Sequence, residues 1–544
     1  MSKWMWSVAL FFLLWFIVFA FYFKTAGAGF VTDEIGWLQT YSDIGWQGIF
    51  NAFGDKSLHY GYHLIGFLLW KSFGLNGIAW MFVFVTIHTA VAFLSFDIFE
   101  NLFKTAEVTS AQYIAFAGSL LFAISPYQTE PLVWYACIHY LVCSFLLLLA
   151  FRFLLLYMDN WRVKYVVVFY VCFVFALFTL EISFAFPILL LVFLLFWQPQ
   201  ILEWKQRSHL IKIFVVPPFL LLGGYFLLSS ILRGSAVGHY GAAQHLNFSI
   251  PLLMANLSKY TAKIFLLSQF TSYEYRSYQY LIFEKEKFCY LIFTGLLIAA
   301  GTFMFFNKKM KDTYRVIFLL FSFFVIALLP ILNLYFSYIV NIEGDRFTYF
   351  ASVFAYQLVA VASVVIFRKF GWLIIATMLF FNAKLLYINT EIWKNSGAIN
   401  QSLTSNFKWF DAPKIYLLNL PDNFKGAYVF RTFAPDNSFA ETMTLQGKRD
   451  VEHRTIQVLS YNMNTLSDSV VVEKISENEM KIIFAQGANW WWNNGIGASN
   501  YSTEDYSIKI DEWSSSYLLK LKKKEPNAVY LYQCGGHWRA VENF

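Results

Sequence analysis

Charge is scarce in this chain. Of 544 residues, 14% are charged and 58% are hydrophobic, where ordinary soluble domains carry about 25% charge. That shortage excludes a water-soluble globular protein, and the mean hydropathy of +0.51 agrees. Cysteine is scarce as well. Cys137, Cys143 and Cys172 lie inside apolar runs, Cys289 sits at the edge of one, and Cys534 is alone near the C-terminus. Five scattered cysteines argue against a disulfide framework, and without CxxC or a Cys/His cluster there is no zinc signature. Internal repeats and low-complexity linkers are also missing. The formal net charge of +7 lies mostly in short loops between apolar runs. It therefore speaks of membrane topology, and nucleic acid is not an expected partner.

What the chain has is aromatics, at 21%, and long apolar runs. A spanning helix needs about 20 mostly apolar residues. The runs predict a polytopic α-helical membrane protein with about eleven spans: 5–23, 77–99, 112–126, 132–156, 163–180, 183–197, 213–231, 288–306, 315–333, 348–367 and 371–388. The first is too long for a signal-peptide core and lacks a clear small-residue cleavage site, so it reads as a retained span.

Loop charge orients these spans. With a cytoplasmic N-terminus, the inner loops carry Lys104, then Arg162 and Lys164, then Lys205, Arg207 and Lys212, then Lys308, Lys309, Lys311 and Arg315, then Arg368 and Lys369. Five consecutive inner loops are basic, as membrane insertion favours. The same topology puts Asp33, Glu34, Glu130, Glu181, Glu343 and Asp345 on the outer side. Residues 1–388 thus form a transmembrane domain, with a first outer loop at 24–76 and a second large one at 232–287. From 389 the composition turns polar. KIYLLNL, GAYVFR, RTIQVLS, SVVVEKI, MKIIFAQ, YSIKI, YLLKLK and AVYLYQ alternate as strands do, so 389–544 is expected to be a β-rich extracytoplasmic domain.

The outer segments hold the candidate chemistry. In VTDEIGWLQTYSD (31–43), Asp33 and Glu34 open a segment whose apolar spacing (Ile35, Leu38, Ile44, Ile49, Phe53, with Trp37 and Trp46) predicts an amphipathic helix lying in the membrane interface. Acids at a helix start are also favoured simply as caps. NAFGDKSLHYGYH adds Lys56, His59 and His63, each either a phosphate-binding cation or an ordinary hydrogen-bonded side chain. SPYQTEPLVW places Glu130 between two prolines, to position an acceptor, hold a cation or brace a turn. Arg346 follows Glu343 and Asp345; its planar fork suits phosphate oxygens, or an ion pair with either acid. Arg276 is a further cation in the second loop. A cation beside a leaving phosphate and a carboxylate beside an attacking hydroxyl are equipment for group transfer. NWWWNNG (489–495) offers aromatic faces for a glycan, a β-domain core or a membrane-facing patch. His88, deep in a span, reads as a helix–helix hydrogen bond.

Three segments resemble the GT-C class of membrane glycosyltransferases, in particular the transmembrane-and-tetratricopeptide O-mannosyltransferases and their bacterial relatives. They are FGLNGIAWMFVFVTIHTAVAFLSFDIFENLF (73–103), SPYQTEPLVWYACIHYLVCSFLLLLAFRFLLLY (125–157) and EGDRFTYFASVFAYQLVA (343–360), in the family's order within residues 1–390. The resemblance implies a polyprenyl-phosphate sugar as donor, inversion at the anomeric carbon, and a carboxylate base in the first outer loop. On that basis Asp33 is the expected base, with Glu34 as base or metal ligand. A lipid-phosphate donor carries one phosphate, so no obligatory metal or other cofactor is expected. The expected acceptor is a protein or glycan hydroxyl. The chain departs from the family in having no tetratricopeptide repeats, in HYGYH where relatives carry Arg-Pro, and in His139 where relatives often carry Arg.

Two other readings stand beside this one. The chain is a non-catalytic subunit or scaffold of a cell-surface assembly, docking a protein through 389–544, or it is a transporter or flippase. The last would want inverted repeats and broken helices near the midplane, and neither is visible. Abundant Phe, Tyr, Ile, Lys and Asn suits an AT-rich bacterial genome, hence an inner membrane with the site in the periplasm. Sequons at Asn247, Asn256 and Asn500 leave the endoplasmic reticulum open.

Overall fold

The computed structural model describes residues 3–51, 58–197, 204–236, 249–265, 295, 312–334, 344–408, 411–431, 438–448, 451–484, 491–492, 499–511, 515–523 and 525–541. Among them, seven helices are long and apolar enough to cross a membrane: Met5–Thr25, Gly77–Thr105, Tyr135–Asn160, Trp204–Arg233, Asp312–Ile331, Asp345–Phe367 and Lys369–Ser405. Three shorter apolar helices, Ala111–Ala123, Val163–Leu177 and Glu181–Phe196, cover three more of the expected spans. Residues 288–306 fall almost wholly outside the described residues. Among the described residues, the eleven expected spans therefore correspond to seven helices of spanning length and three shorter ones, with 288–306 left undescribed. Those three have 13, 15 and 16 residues, less than the roughly 20 needed to cross a bilayer upright. The chain is an integral membrane protein.

Local signals set the helix ends. Asn76 caps Gly77–Thr105 by accepting from the Ala79 N–H at 3.2 Å, which satisfies one of the helix's unpaired donors. Ser125 caps the turn that starts at Pro126, where a missing N–H costs nothing. Lys104 sits in the last turn of Gly77–Thr105, and Arg162 and Lys164 follow Ile138–Asn160. The basic loops thus lie at the ends of these helices away from the acidic segments. Polar side chains tie the helices together inside the apolar core. Gln357 donates to Ser95 Oγ, Ala115 O and Ser119 Oγ at 2.9–3.1 Å. His88 joins Tyr349 Oη at 2.8 Å and Ala123 O at 3.1 Å, the helix–helix bond its depth suggested.

The tail is β-rich, and all eight alternating runs contain a strand. Five antiparallel strands form one sheet, in the order Val470–Lys474, Glu479–Phe484, Ser516–Leu521, Tyr506–Ile510, Tyr501–Ser502. A second sheet sets Ile415–Leu417 parallel to both Val529–Cys534 and Thr455–Gln457. The third pairs Leu420–Phe424 with Ala427–Tyr428 and Ser460–Met463, and Trp491–Trp492 closes its edge. The rest of NWWWNNG lies outside the described residues.

The seventh spanning helix, Lys369–Ser405, runs 37 residues without a break through the point where composition changes. Its far end enters the tail, where Ile399 and Leu403 join the β-domain core. In return, Ala427 and Tyr428 of the tail pack into the core of the helical part. Gly397 makes this docking close: a Cβ there would lie 2.8 Å from Ala28 Cα and 2.9 Å from Ala28 Cβ. Gly397→Leu is expected to cost about 1–3 kcal/mol by overpacking, read as a lower unfolding midpoint in detergent. An unchanged midpoint would mean that the helix does not rest on the first loop.

Candidate functional site

The acidic pair opens the helix Asp33–Ile44. Thr32 precedes it and caps the Asp33 N–H with its hydroxyl. Consecutive helical residues point about 100° apart, so the two acids part company. Asp33 is exposed, with Thr32 Oγ1 donating to its carboxylate at 3.1 Å. Glu34 is fully buried. Its Oε1 accepts from Val31 N at 2.8 Å, and its Oε2 accepts from Trp134 Nε1 at 2.7 Å.

Burial pushes the Glu34 carboxyl up to about 8; the Asp33 charge adds to this, while the Val31 and Trp134 donors oppose it. A folded-state value above the unfolded one means that the folded protein holds this proton more tightly. The resulting stabilisation is full below pH 4.5 and lost as pH rises through about 8. Glu34→Gln should flatten the fall in unfolding midpoint across that window. A fall as steep as in the wild type would show that Glu34 does not hold the proton.

Trp134 leads from this pair to the second group. Its ring lies 5.0 Å from Arg346 Cζ, and Phe347 flanks the same guanidinium at 4.6 Å. Arg346 pairs with Glu130, which also accepts from Arg346 N at 2.8 Å, from Gly344 N at 3.4 Å and from Tyr428 Oη at 3.2 Å. The Glu130 side chain is 1% exposed and that of Arg346 14%. Next to Arg346, buried Asp345 pairs with Lys263, from the helix Ile250–Phe265. Lys259, one turn earlier, is buried too. Cys137 lies within electrostatic reach of Arg346 and Glu130 on one hand and of Glu34 and Asp33 on the other.

Histidines form a third group. His59 Nε2 lies 2.8 Å from Glu181 Oε1. Tyr62 packs between His63 and His139, with ring centroids 4.7 and 4.6 Å away. His63 Nδ1 is 2.7 Å from Tyr41 Oη. Burial, helped by the His59 charge, lowers His63 to about 3, so its ring is neutral at physiological pH.

No family model matches the chain, and no curated protein matches it. Two solved structures are similar. One is ArnT from Cupriavidus metallidurans bound to undecaprenyl phosphate: 11% identity, covering 87% of this chain and 97% of that one, with a TM-score of 0.39. The other is ArnT from the same organism in the apo state, at 12% identity, the same coverage and a TM-score of 0.37. A likeness that loose transfers no residue role and no substrate to this chain.

The sequence-derived candidates fall into place unevenly. Asp33, Glu34, Glu130, Arg346, His59 and His63 belong to the three groups above; Lys56, Arg276 and Glu343 lie outside the described residues. Arg346 takes Glu130 as its partner, where the sequence offered Asp345 or Glu343. The expected interfacial helix is corrected for its first half. Trp37 is 2% exposed and packs against Tyr41, Tyr62 and Trp80. Only the continuation carries exposed apolar groups, with Trp46 at 62% and Phe50 at 49%. Asn256 is buried, with its amide donating to Leu332 O and Leu334 O, so that sequon is not an open glycan acceptor.

Sequence reasoning missed Trp134 as a bridge, the lysines of the second loop, and Tyr428. A signal existed for the lysines. SKYTAKIF spaces Lys259 and Lys263 four apart, on one helix face, within the expected outer loop 232–287.

Proposed function

We propose that the chain is a membrane glycosyltransferase that moves a sugar from a polyprenyl-phosphate donor to a hydroxyl, with inversion. The observation that supports this most is the meeting of residues 31–37, 129–134, 259–263 and 344–348 at one end of the helices. There an exposed carboxylate stands beside a set of paired, desolvated charges. The acceptor oxygen attacks the anomeric carbon while Asp33 takes its proton. The bond to the phosphate oxygen breaks on the opposite face, and polyprenyl phosphate leaves. Arg346, with His59, stabilises the leaving phosphate. His63, neutral and joined to Tyr41, braces the wall. Glu34 holds Trp134 and through it the face on which Arg346 rests. A lipid-phosphate donor carries a single phosphate, so the reading includes no obligatory metal cofactor. It takes a protein or glycan as acceptor, following the resemblance to the O-mannosyltransferase branch. It also sets the site and tail in the periplasm of a bacterial inner membrane, opposite the basic loops.

The rival is a non-catalytic subunit of a surface assembly. It draws on the fact that Arg346, Lys263 and His59 each face a carboxylate. One assay separates the two: transfer of radiolabelled sugar from polyprenyl monophosphate by purified protein in lipid nanodiscs. Label passed to a hydroxyl acceptor supports the enzyme. No transfer across a panel of sugars overturns it in favour of the scaffold.

A further inference from the structure

We propose that Tyr428, a residue of the β-rich tail, is a positioning residue of this site: its hydroxyl fixes Glu130, and Glu130 fixes Arg346. The inference rests on the transferase reading for its kinetic consequence only.

The tail reaches Glu130 with the short strand Ala427–Tyr428. Tyr428 Oη donates to Glu130 Oε1 at 3.2 Å. An ionised carboxylate has about four lone-pair sites. Glu130 Oε1 accepts from Tyr428 Oη, Gly344 N and the Arg346 guanidinium, and its Oε2 accepts from Arg346 N. Its orientation is thereby fixed, and so is the guanidinium it holds.

Tyr428 has a second handle on the same guanidinium. Its ring meets Trp134 edge to face, at 4.7 Å and 79°, and Trp134 is one of the two rings beside Arg346. Tyr428 is itself held from three sides. Ser396 of the helix Lys369–Ser405 donates to its carbonyl, and Asn400 donates to Val429 O at 3.0 Å. Trp393 stands edge-on to its ring at 6.1 Å. Arg431 lies 4.6 Å from the ring centroid and pairs with buried Asp422 at 3.0 Å. The tail is therefore part of the site's wall, and a chain cut after the last span would lose it.

Tyr428→Phe removes the hydroxyl and keeps the ring contacts. Two measurements test the proposal in full-length protein. In the transfer assay, the KM for the lipid donor should rise about tenfold, as for one lost hydrogen bond to a charged group, with the acceptor KM unchanged. In the second, phenylglyoxal labelling of Arg346, followed by peptide mass spectrometry, should speed up by a similar factor. Glu130→Gln should act in the same direction, and Tyr428→Phe should add nothing in that background, as for two residues acting through one contact. Wild-type behaviour of Tyr428→Phe in labelling, or additive effects in the double variant, overturns the proposal. If the wild type transfers no sugar, the transferase reading falls, and Arg346 labelling still decides the role of Tyr428.

Discussion

Asp33→Asn is expected to lower kcat for sugar transfer by about a thousandfold, the middle of the range for losing a general base. The donor KM should barely change, since the amide keeps the size of the carboxylate and the cations proposed to meet the phosphate are untouched. Stability should hold within about 0.5 kcal/mol, as for exposed positions generally. Asp33 is exposed at the start of its helix, with Thr32 as its hydrogen-bonded neighbour. Asparagine suits a helix start, so the fold is not at stake. Glu34 supplies the contrast: it is buried with both oxygens engaged, and its replacement should show in stability first. Equal transfer by wild type and Asp33→Asn would remove Asp33 as the base. A matching loss of stability would recast it as a cap.

Glu130→Ala should destabilise the protein by about 3–5 kcal/mol, the usual cost of removing one partner of a buried ion pair. Four donors lose their acceptor at once: the Arg346 guanidinium, Arg346 N, Gly344 N and Tyr428 Oη. The guanidinium is 14% exposed and sits between Trp134 and Phe347, so water replaces little of what is lost. Removing both charges, as in Glu130→Leu with Arg346→Met, should cost less than removing Glu130 alone, because no unpaired charge remains buried. Denaturant unfolding in detergent measures both. A Glu130→Ala variant within about 0.5 kcal/mol of wild type would show that the pair does not hold residues 344–348 in place.

Much of the architecture was legible in the sequence, for physical reasons. Apolar runs of spanning length have no stable place outside a bilayer, so runs such as 77–99 and 348–367 marked helices directly. Alternating runs such as MKIIFAQ marked strands, because a strand's side chains alternate faces. The limits of the helices were less legible. Positions 369–405 form one helix across a change of composition, since a helix keeps its backbone bonds whichever solvent surrounds it. Hydropathy registers the bilayer's edge and not the helix's end.

The site divides in the same way. The sequence by itself determined that this is a membrane protein, and that four of its acids, Asp33, Glu34, Glu130 and Asp345, belong to segments at one end of its helices, opposite the basic loops. It also singled out Arg346 and the histidines of HYGYH as candidates. Only the tertiary structure decided which acid is exposed and which is buried. Asp33 and Glu34 are neighbours in the chain and differ by one helical step, and that step separates solvent from core. It also decided the pairing. Glu130 and Arg346 are 216 positions apart, and Glu130 and Tyr428 are 298 apart. No local pattern encodes a contact across such a span. The partners are chosen by which desolvated charge lies within reach once the helices have packed.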